Sequence, residues 1–446
     1  GRELIDEALP LLEVGINILG YPAPKTYLLI LQNSDELRPS GGFIGTYGII
    51  TFDSGHITNF FTDDVYNLDR FSPPASRPLA PAPLARYLEQ PRFYLRDANW
   101  SPDFPTSARQ VLRFYQEELG AAEKDPRFKA RPAQIDGVIA VMPEVMRSLL
   151  KIVGPLTVQG QTFSADNLTD ALEYEVEVGF SQKGIPRPQR KAIIAELGHD
   201  FIAKIFALPP SLWSEALHII RRGFDEKQML IYDQSPGVQA SLAQSGLGGE
   251  IREASGDFLG IFDANLFSLK TDPYVERNIL YTVSKDERGQ LTSDVEIVYT
   301  YPKSGPDWKT KGYRSFTRVY VPKGAILISA SGAMEDEFSK PGQVEITQEF
   351  DKTVFGAFVA VQVGEVKRLH FTYRLPDKIA AQAEDGTYEL LIQKQPGTLG
   401  HGLTVALDFG KVPRAWSPRG LNVSRDKTKL IWQTSLRRDQ EFKVEF

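Results

Sequence analysis

The hydrophobic positions of the chain fall into two textures. Residues 3–19 carry apolar side chains at helical spacing and close at Gly20, which predicts a short amphipathic helix followed by the Tyr21-Pro22-Ala23-Pro24 segment. The continuous apolar run YLLILQN (27–33) predicts a buried strand. FIGTYGIITF (43–52) predicts a second, and ITNFFTDDV (57–65) a third after the turn Asp53-Ser54-Gly55-His56. Six prolines between residues 71 and 92 remove donors and block helix interiors, so that stretch reads as a long loop or lid. Apolar residues at 108, 111, 112, 114, 115 and 119 predict a helix with Thr106 or Ser107 as its N-cap. IDGVIAVMP (135–143) reads as a central strand, 144–154 as a helix stopping at Gly154, and PLTVQGQTF as a hairpin. Helices are expected over 164–178, 189–206 and 210–222, and a strand over 228–233. Strands alternating with helices indicate an α/β layer structure.

After about residue 273 the texture changes. Short segments rich in Val, Tyr, Phe and Thr, such as TSDVEIVYTYP and VKRLHFTYRLP, are separated by Gly, Pro and Asp turns. That pattern predicts an antiparallel β-sandwich. The expected organisation is therefore an N-terminal helix and linker (1–24), an α/β domain (25–272) and a β-sandwich (273–446).

Composition narrows the function more than the fold. With 42% hydrophobic and 24% charged residues, the chain buries an ordinary globular core. No apolar run reaches the roughly 18 residues needed to span a bilayer. The 51 Lys and Arg against 57 Asp and Glu give a net charge of −6. General attraction to nucleic acid is not expected, although local basic clusters stay open. Cysteine is absent, which excludes disulfides, thiolate metal sites and cysteine nucleophiles. The five histidines show no H-x-x-x-H spacing, so a histidine-built zinc site is not expected.

The candidate chemistry lies in the charges at the predicted strand ends. Arg38 follows the first strand, Asp63 and Asp64 close the third, and Arg96, Asp97 and Asp103 follow the proline-rich segment. If neighbouring strands bring these ends together, guanidinium and carboxylate groups meet at the sheet rim where ligands of open α/β sheets collect. Asp63, Asp64 and Asp97 are then the catalytic candidates, with Asp64 and Asp97 able to hold Mg²⁺. Arg38, Arg96, Asp103, Arg187 and Arg190 would bind ligand, the arginines gripping phosphate oxygens bidentately. Lys191 adjoins them, and cations at a helix start oppose the helix dipole. The competing reading is that these charges cap loops and form surface ion pairs. The turn Arg38-Pro39-Ser40-Gly41-Gly42 is neither a P-loop nor a dinucleotide fingerprint, and a turn needing positive φ accounts for it. Glu173, Glu175 and Glu177 are spaced i, i+2, which does not form a facing carboxylate pair on an α-helix.

The segments NSDELRPSGGFIGTYGIITFDSGHI, RDANWSPDFPTSA, IDGVIAVMPEVMRSLLKIVGPLTV and QKQPG together resemble an uncharacterised bacterial family, domain of unknown function 4012. The resemblance implies an extracytoplasmic cell-envelope protein, anchored through an N-terminal membrane helix that this sequence does not include. Residues 40–205 are also similar in order to the LytR–CpsA–Psr family, which transfers glycopolymers from polyprenyl pyrophosphate carriers to peptidoglycan using Mg²⁺, acids and arginines. That similarity implies a sheet with flanking helices and places Arg187 and Arg190 on the phosphate side. The sequence departs from the family at Asp63-Asp64, where an arginine–aspartate pair is expected. Two functions follow as expectations. One is a phosphotransferase-like domain acting on a lipid-linked glycopolymer. The other is a non-catalytic surface protein that binds wall polymer or mediates adhesion.

Overall fold

The computed structural model describes residues 14–302, 308–338, 340–420 and 422–446. Of the helix predicted over 3–19, residues 14–18 are helical, Leu19 lies in a turn, and residues 3–13 lie outside the described residues. The chain forms two compact units. The first holds Ser40–Pro81, Gln90–Glu250 and the chain up to Ser34, and the second holds Asp35–Pro39, Ala82–Glu89 and Ile251–Phe446.

The first unit is built on strands β1 (Lys25–Arg38), β2 (Gly41–Asp53), β3 (His56–Asp64), β4 (Gly137–Val141) and β7 (Met229–Asp233), with a separate small hairpin of β5 (Leu156–Val158) and β6 (Gln161–Phe163). The sheet order is β3-β2-β1-β4-β7. β1 and β4 run parallel, with Leu29 opposite Ile139, whereas β2–β3 and β4–β7 are antiparallel. β1 is apolar over residues 27–31, where both its faces are covered. Leu28 and Ile30 enter one core with Val138 and Ala140, while Tyr27 and Leu29 enter the other with Ile139. Burying each such side chain contributes roughly 1.5–3 kcal/mol.

The helix Phe104–Ala121 covers the first face through Ala108, Val111, Leu112, Tyr115 and Leu119. Its N-cap is Asp103, not the expected Thr106 or Ser107; the Asp103 carboxylate accepts the Thr106 N–H at 3.0 Å. Pro105 in the first turn fits this start, since an N–H there would have no intrahelical acceptor. The helix Pro143–Val153 ends where expected, at Gly154 with φ +77°. The helix expected over 164–178 is shorter. It spans Leu168–Tyr174 and passes into a π-helical turn over Glu175–Gly179.

The second unit contains β8 (Asp257–Asn265), β9 (Glu276–Lys285), β10 (Leu291–Thr300), β11 (Gly312–Pro322), β12 (Ile326–Ser331), β13 (Glu345–Glu349) and β14 (Lys352–Gln362). They are followed by β15 (Val366–Arg374), β16 (Thr387–Gln393), β17 (Gly402–Asp408), β18 (Ala415–Ser417), β19 (Asn422–Asp426), β20 (Lys429–Ser435) and β21 (Gln440–Glu445). Among the described residues they form two seven-stranded sheets, ordered β12-β15-β10-β9-β17-β20-β19 and β13-β14-β11-β8-β16-β21-β18. The sheets face each other: Phe355 stacks on Phe371 at 6.0 Å, and Trp432 packs edge-on against Phe442 at 5.3 Å. The expected sandwich is present, but it is mixed rather than antiparallel. β16 pairs parallel to β8, and β17 parallel to β9. β8, expected in the α/β domain, is a central strand here, so this unit resumes at Ile251 rather than near residue 273. The proline-rich stretch is not a featureless loop either. Its helix Ala82–Tyr87 is counted in the second unit, where Tyr87 stacks on Phe358 with centroids 4.0 Å apart.

Candidate functional site

The acids that close β3 sit at a strand-to-helix junction. Successive strand residues point to opposite faces, so Asp63 and Asp64 serve two environments. Asp64 caps the helix Val65–Asp69 by accepting the Tyr66 N–H at 3.2 Å. Its Oδ2 also accepts from Arg190 Nε at 3.0 Å, and its Oδ1 from Lys191 Nζ at 3.1 Å. Asp63 Oδ1 accepts from the Asp64 N–H at 2.8 Å and from Asn67 Nδ2 at 2.7 Å. Asn67 Nδ2 in turn donates to the Pro188 carbonyl at 2.8 Å, which ties the 3₁₀ turn Arg187–Gln189 to the same junction.

The π-helical turn supplies the other wall. Arg190 Nη1 donates to Glu177 Oε2 at 2.9 Å, and the Lys191 ammonium donates to the Gly45 carbonyl. Glu175 Oε2 accepts from Lys183 at 2.7 Å, and Asn33 donates to the buried carboxylate of Glu173. A Cβ on Gly179 would lie 2.9 Å from Glu175 Oε2, so glycine lets the π turn close over this carboxylate. Inserted π turns break the α-helical repeat and are frequent at functional sites. Glu173, in the α-helix before the π turn, and Glu175, at its start, are both buried.

Electrostatics bind the junction tightly. Burial acts to raise the Asp64 carboxyl pKa, but the Lys191 and Arg190 charges and their hydrogen bonds outweigh it and hold it below the usual range. Asp63 has weaker compensation, and burial pushes it up. Burial likewise depresses the Lys191 ammonium, partly offset by Asp64.

The sequence-expected site residues therefore separate into groups. Asp64 and Arg190 meet, with Asp63 beside them. Arg187 is exposed on the adjoining turn, without an ion pair among the described residues. Arg96 and Asp97 belong to another buried cluster. Arg96 donates from Nη1 to Asp69 Oδ2 at 2.6 Å and from Nη2 to Gln90 Oε1 at 2.9 Å, and its Nε lies 3.6 Å from Asp97 Oδ2. Asp103 is the helix cap described above. Arg38 is counted in the second unit and is fully buried, donating to Glu36 Oε1 at 2.9 Å and to the Asn265 carbonyl at 2.7 Å. The expected convergence of Arg38, Asp64 and Arg96 is thus replaced by separate partner sets. Of the two carboxylates expected to hold Mg²⁺, Asp64 accepts from two cations, and Asp97 lies 3.6 Å from Arg96 Nε. Among the described residues no group of three or more His, Asp or Glu is placed to hold a metal ion.

Sequence reasoning grouped Lys191 with Arg187 and Arg190 as a candidate anion-binding edge, and set Glu177 aside on α-helical spacing. The glycine pair is a matter of close approach. Asn99 Nδ2 donates to the Gly42 carbonyl at 2.7 Å, and Gln32 Oε1 accepts the Gly42 N–H at 2.7 Å. A Cβ on Gly42 would meet the Asn33 carbonyl oxygen at 2.1 Å. The RPSGG and RDANW segments interlock through these contacts.

Fold and junction together define a protein with a mixed α/β unit, carrying a buried charge cluster at one strand end, and a mixed β-sandwich. Residues 23–176 match the model of a family described as a protein of unknown function, DUF4012, so the family resemblance of the sequence holds over that segment. No curated protein matches the chain. Among solved structures, it is similar to a putative nutrient binding protein from Legionella pneumophila at 7% identity and a TM-score of 0.30, over 43% of this chain and 71% of that one. It is also similar to an M1 zinc metallopeptidase from Deinococcus radiodurans at 13% identity and a TM-score of 0.20, over 38% of this chain and 42% of the peptidase. A putative protease from Parabacteroides distasonis matches at 7% identity and a TM-score of 0.21, over 39% of this chain and 41% of that one. Among the described residues no helix is long and apolar enough to cross a membrane.

Proposed function

We propose that this is an extracytoplasmic cell-envelope protein whose α/β unit binds a phosphate-bearing glycopolymer, free or linked to polyprenyl pyrophosphate, without transferring it. The observation that carries this reading is the state of Asp64. Its two oxygens accept from Arg190 and Lys191, so the acid and the cations of the junction neutralise one another. Transfer would need those groups differently arranged: carboxylates around a divalent cation, and arginines facing the pyrophosphate leaving group. Binding needs only donors at the rim. Arg187, exposed on the turn leading to Arg190, supplies them. The family resemblance supports the envelope setting, and the sandwich is a second surface for wall polymer or adhesion.

The test incubates the full chain with a polyprenyl-pyrophosphate-linked glycopolymer and peptidoglycan, with and without Mg²⁺. The expected result is retention of the polymer on the protein, weakened at least tenfold by R187Q, with no release of polyprenyl monophosphate. Release of the monophosphate that disappears in D64N would overturn the non-catalytic reading. Unchanged retention by R187Q would remove the junction as the binding site.

A further inference from the structure

The first unit carries a second basic feature on the other side of the Asp63–Asp64 corner. Residues 122–134 run through a series of tight turns: Asp125 N–H to the Ala122 carbonyl at 2.9 Å, Phe128 N–H to Asp125 at 3.0 Å, and Arg131 N–H to Phe128 at 3.0 Å. Tyr115 Oη donates to the Pro132 carbonyl at 2.9 Å and pins the end of the segment to the helix Phe104–Ala121. Three arginines then lie on three rings. Arg70 Cζ is 5.0 Å from the Phe71 centroid, Arg127 Cζ 5.5 Å from Phe128, and Arg131 Cζ 3.0 Å from Phe61. The rings are themselves packed: Phe71 meets Phe128 edge-on at 5.4 Å, and Tyr47 bridges Phe61 at 6.4 Å and Tyr115 at 6.0 Å.

A guanidinium held over a ring has already given up part of its freedom and loses less when it meets an anion. Arg127 has one acid on its fork, Asp125, with Nε to Oδ1 at 2.9 Å. Arg70 and Arg131 have no acid within ion-pair distance among the described residues. Arg131 Nε is buried without a hydrogen-bond partner, and so is the hydroxyl of Tyr47, whose side chain is completely buried. The acids facing this surface are Glu123 and Asp125 on the segment itself and Asp63 from β3. Against them stand Arg70, Lys124, Arg127, Lys129 and Arg131, a local cationic excess on a chain whose net charge is −6.

We propose that Arg70, Arg127 and Arg131 form a second anion-binding surface, which takes consecutive phosphate groups of a soluble polyphosphate-like polymer. The observations favour such a polymer over two alternatives. A nucleic acid would stack bases on exposed rings, but these ring faces are already covered by guanidinium groups. A bilayer would be met by exposed apolar side chains, and among the described residues 122–134 expose no large hydrophobic residue. The inference rests on the proposed function only for the kind of polymer; the surface and its test are separate.

The experiment titrates the full chain with linear inorganic polyphosphate across a salt series, beside R70Q, R70Q/R131Q and R190Q. The expected result is at least a tenfold loss of affinity in R70Q/R131Q, a partial loss in R70Q, and no change in R190Q. The slope of log K against log salt should fall by about two in the double variant, one counterion per lost phosphate contact. Arg70 is exposed, so R70Q keeps the test open if R131Q disturbs folding. Unchanged binding in R70Q and R70Q/R131Q would overturn the proposal. So would an equal loss in R190Q, which would place the phosphate at the Asp64 junction. Preferential binding of RNA or of phosphatidylglycerol vesicles over polyphosphate would overturn it as well. Loss of glycopolymer retention alone, with polyphosphate binding intact, would count against the proposed function and leave this surface standing.

Discussion

Glu118 offers the sharpest quantitative test of the structure. It is completely buried on the helix Phe104–Ala121. Its Oε1 accepts the Leu95 N–H at 3.1 Å and lies 3.3 Å from Arg77 Nη2. Its Oε2 and Asp69 Oδ1 are both buried and have no N–H or hydroxyl partner. Asp69 Oδ2 is held by Arg96 at 2.6 Å. Two bare carboxyl oxygens facing each other in a dry site are tolerable only with a proton between them. Burial, then the Asp69 charge and the hydrogen bond to it, push Glu118 up to about 10. An unfolded glutamate titrates near 4.5. At neutral pH the folded chain therefore holds one proton that the unfolded chain has released. A folded pKa raised in this way contributes stability that is complete below about pH 4.5 and is lost as pH rises towards about 10. One proton corresponds to about 1.4 kcal/mol per pH unit, so this site alone costs about 3 kcal/mol between pH 6 and pH 8. In E118Q the amide can donate to Asp69 Oδ1 and the site no longer titrates. The assay is urea unfolding followed by circular dichroism at pH 6, 7 and 8 for both proteins. E118Q should gain on the wild type by about 1.4 kcal/mol per pH unit. Parallel profiles for the two proteins would refute the shared proton.

Three further outcomes are expected. D64N leaves Arg190 and Lys191 buried without their acid and should cost about 3 kcal/mol, read as a fall in urea midpoint. Because the Asp64 pKa is held down, its contribution is present above about 3.8 and is lost as pH falls below that value, so the D64N defect should shrink in acid. G42A drives a methyl group into the Asn33 carbonyl at 2.1 Å and should cost more than about 2 kcal/mol or abolish soluble expression; a wild-type melting curve would show that the interlock of RPSGG and RDANW is loose. In the second unit, Y87A removes the ring stacked at 4.0 Å on Phe358 and should lower stability by about 1–3 kcal/mol, checked by the same denaturation.

The elements legible in the sequence were those that a local pattern determines. The unbroken run at 27–33 announced a strand covered on both faces, and Gly154 marked a helix end because the αL-like φ it needs is costly for other residues. The sheet neighbours were not legible, since alternation of apolar residues says which faces are buried but not which strand lies alongside. Hence the parallel β8–β16 and β9–β17 pairs were missed, and β8, buried along its whole length, was placed on the other side of the boundary. The candidate site divides in the same way. A pair of acids ending one strand and a basic turn more than a hundred residues later each stood out, and they do meet as Asp64 and Arg190. Arg38 and Arg96 stood out equally well, but a buried arginine needs acids and carbonyls around it wherever it lies, and several strand and loop ends could provide them. The glutamates, set aside as a facing carboxylate pair, each take a different partner: Asn33 for Glu173, Lys183 for Glu175 and Arg190 for Glu177. What decides this site is thus the partner each ion finds after folding. The binding reading and the phosphate surface depend on one contrast: Arg190 has found its acids, whereas Arg70 and Arg131 lie on rings with no acid within ion-pair distance among the described residues.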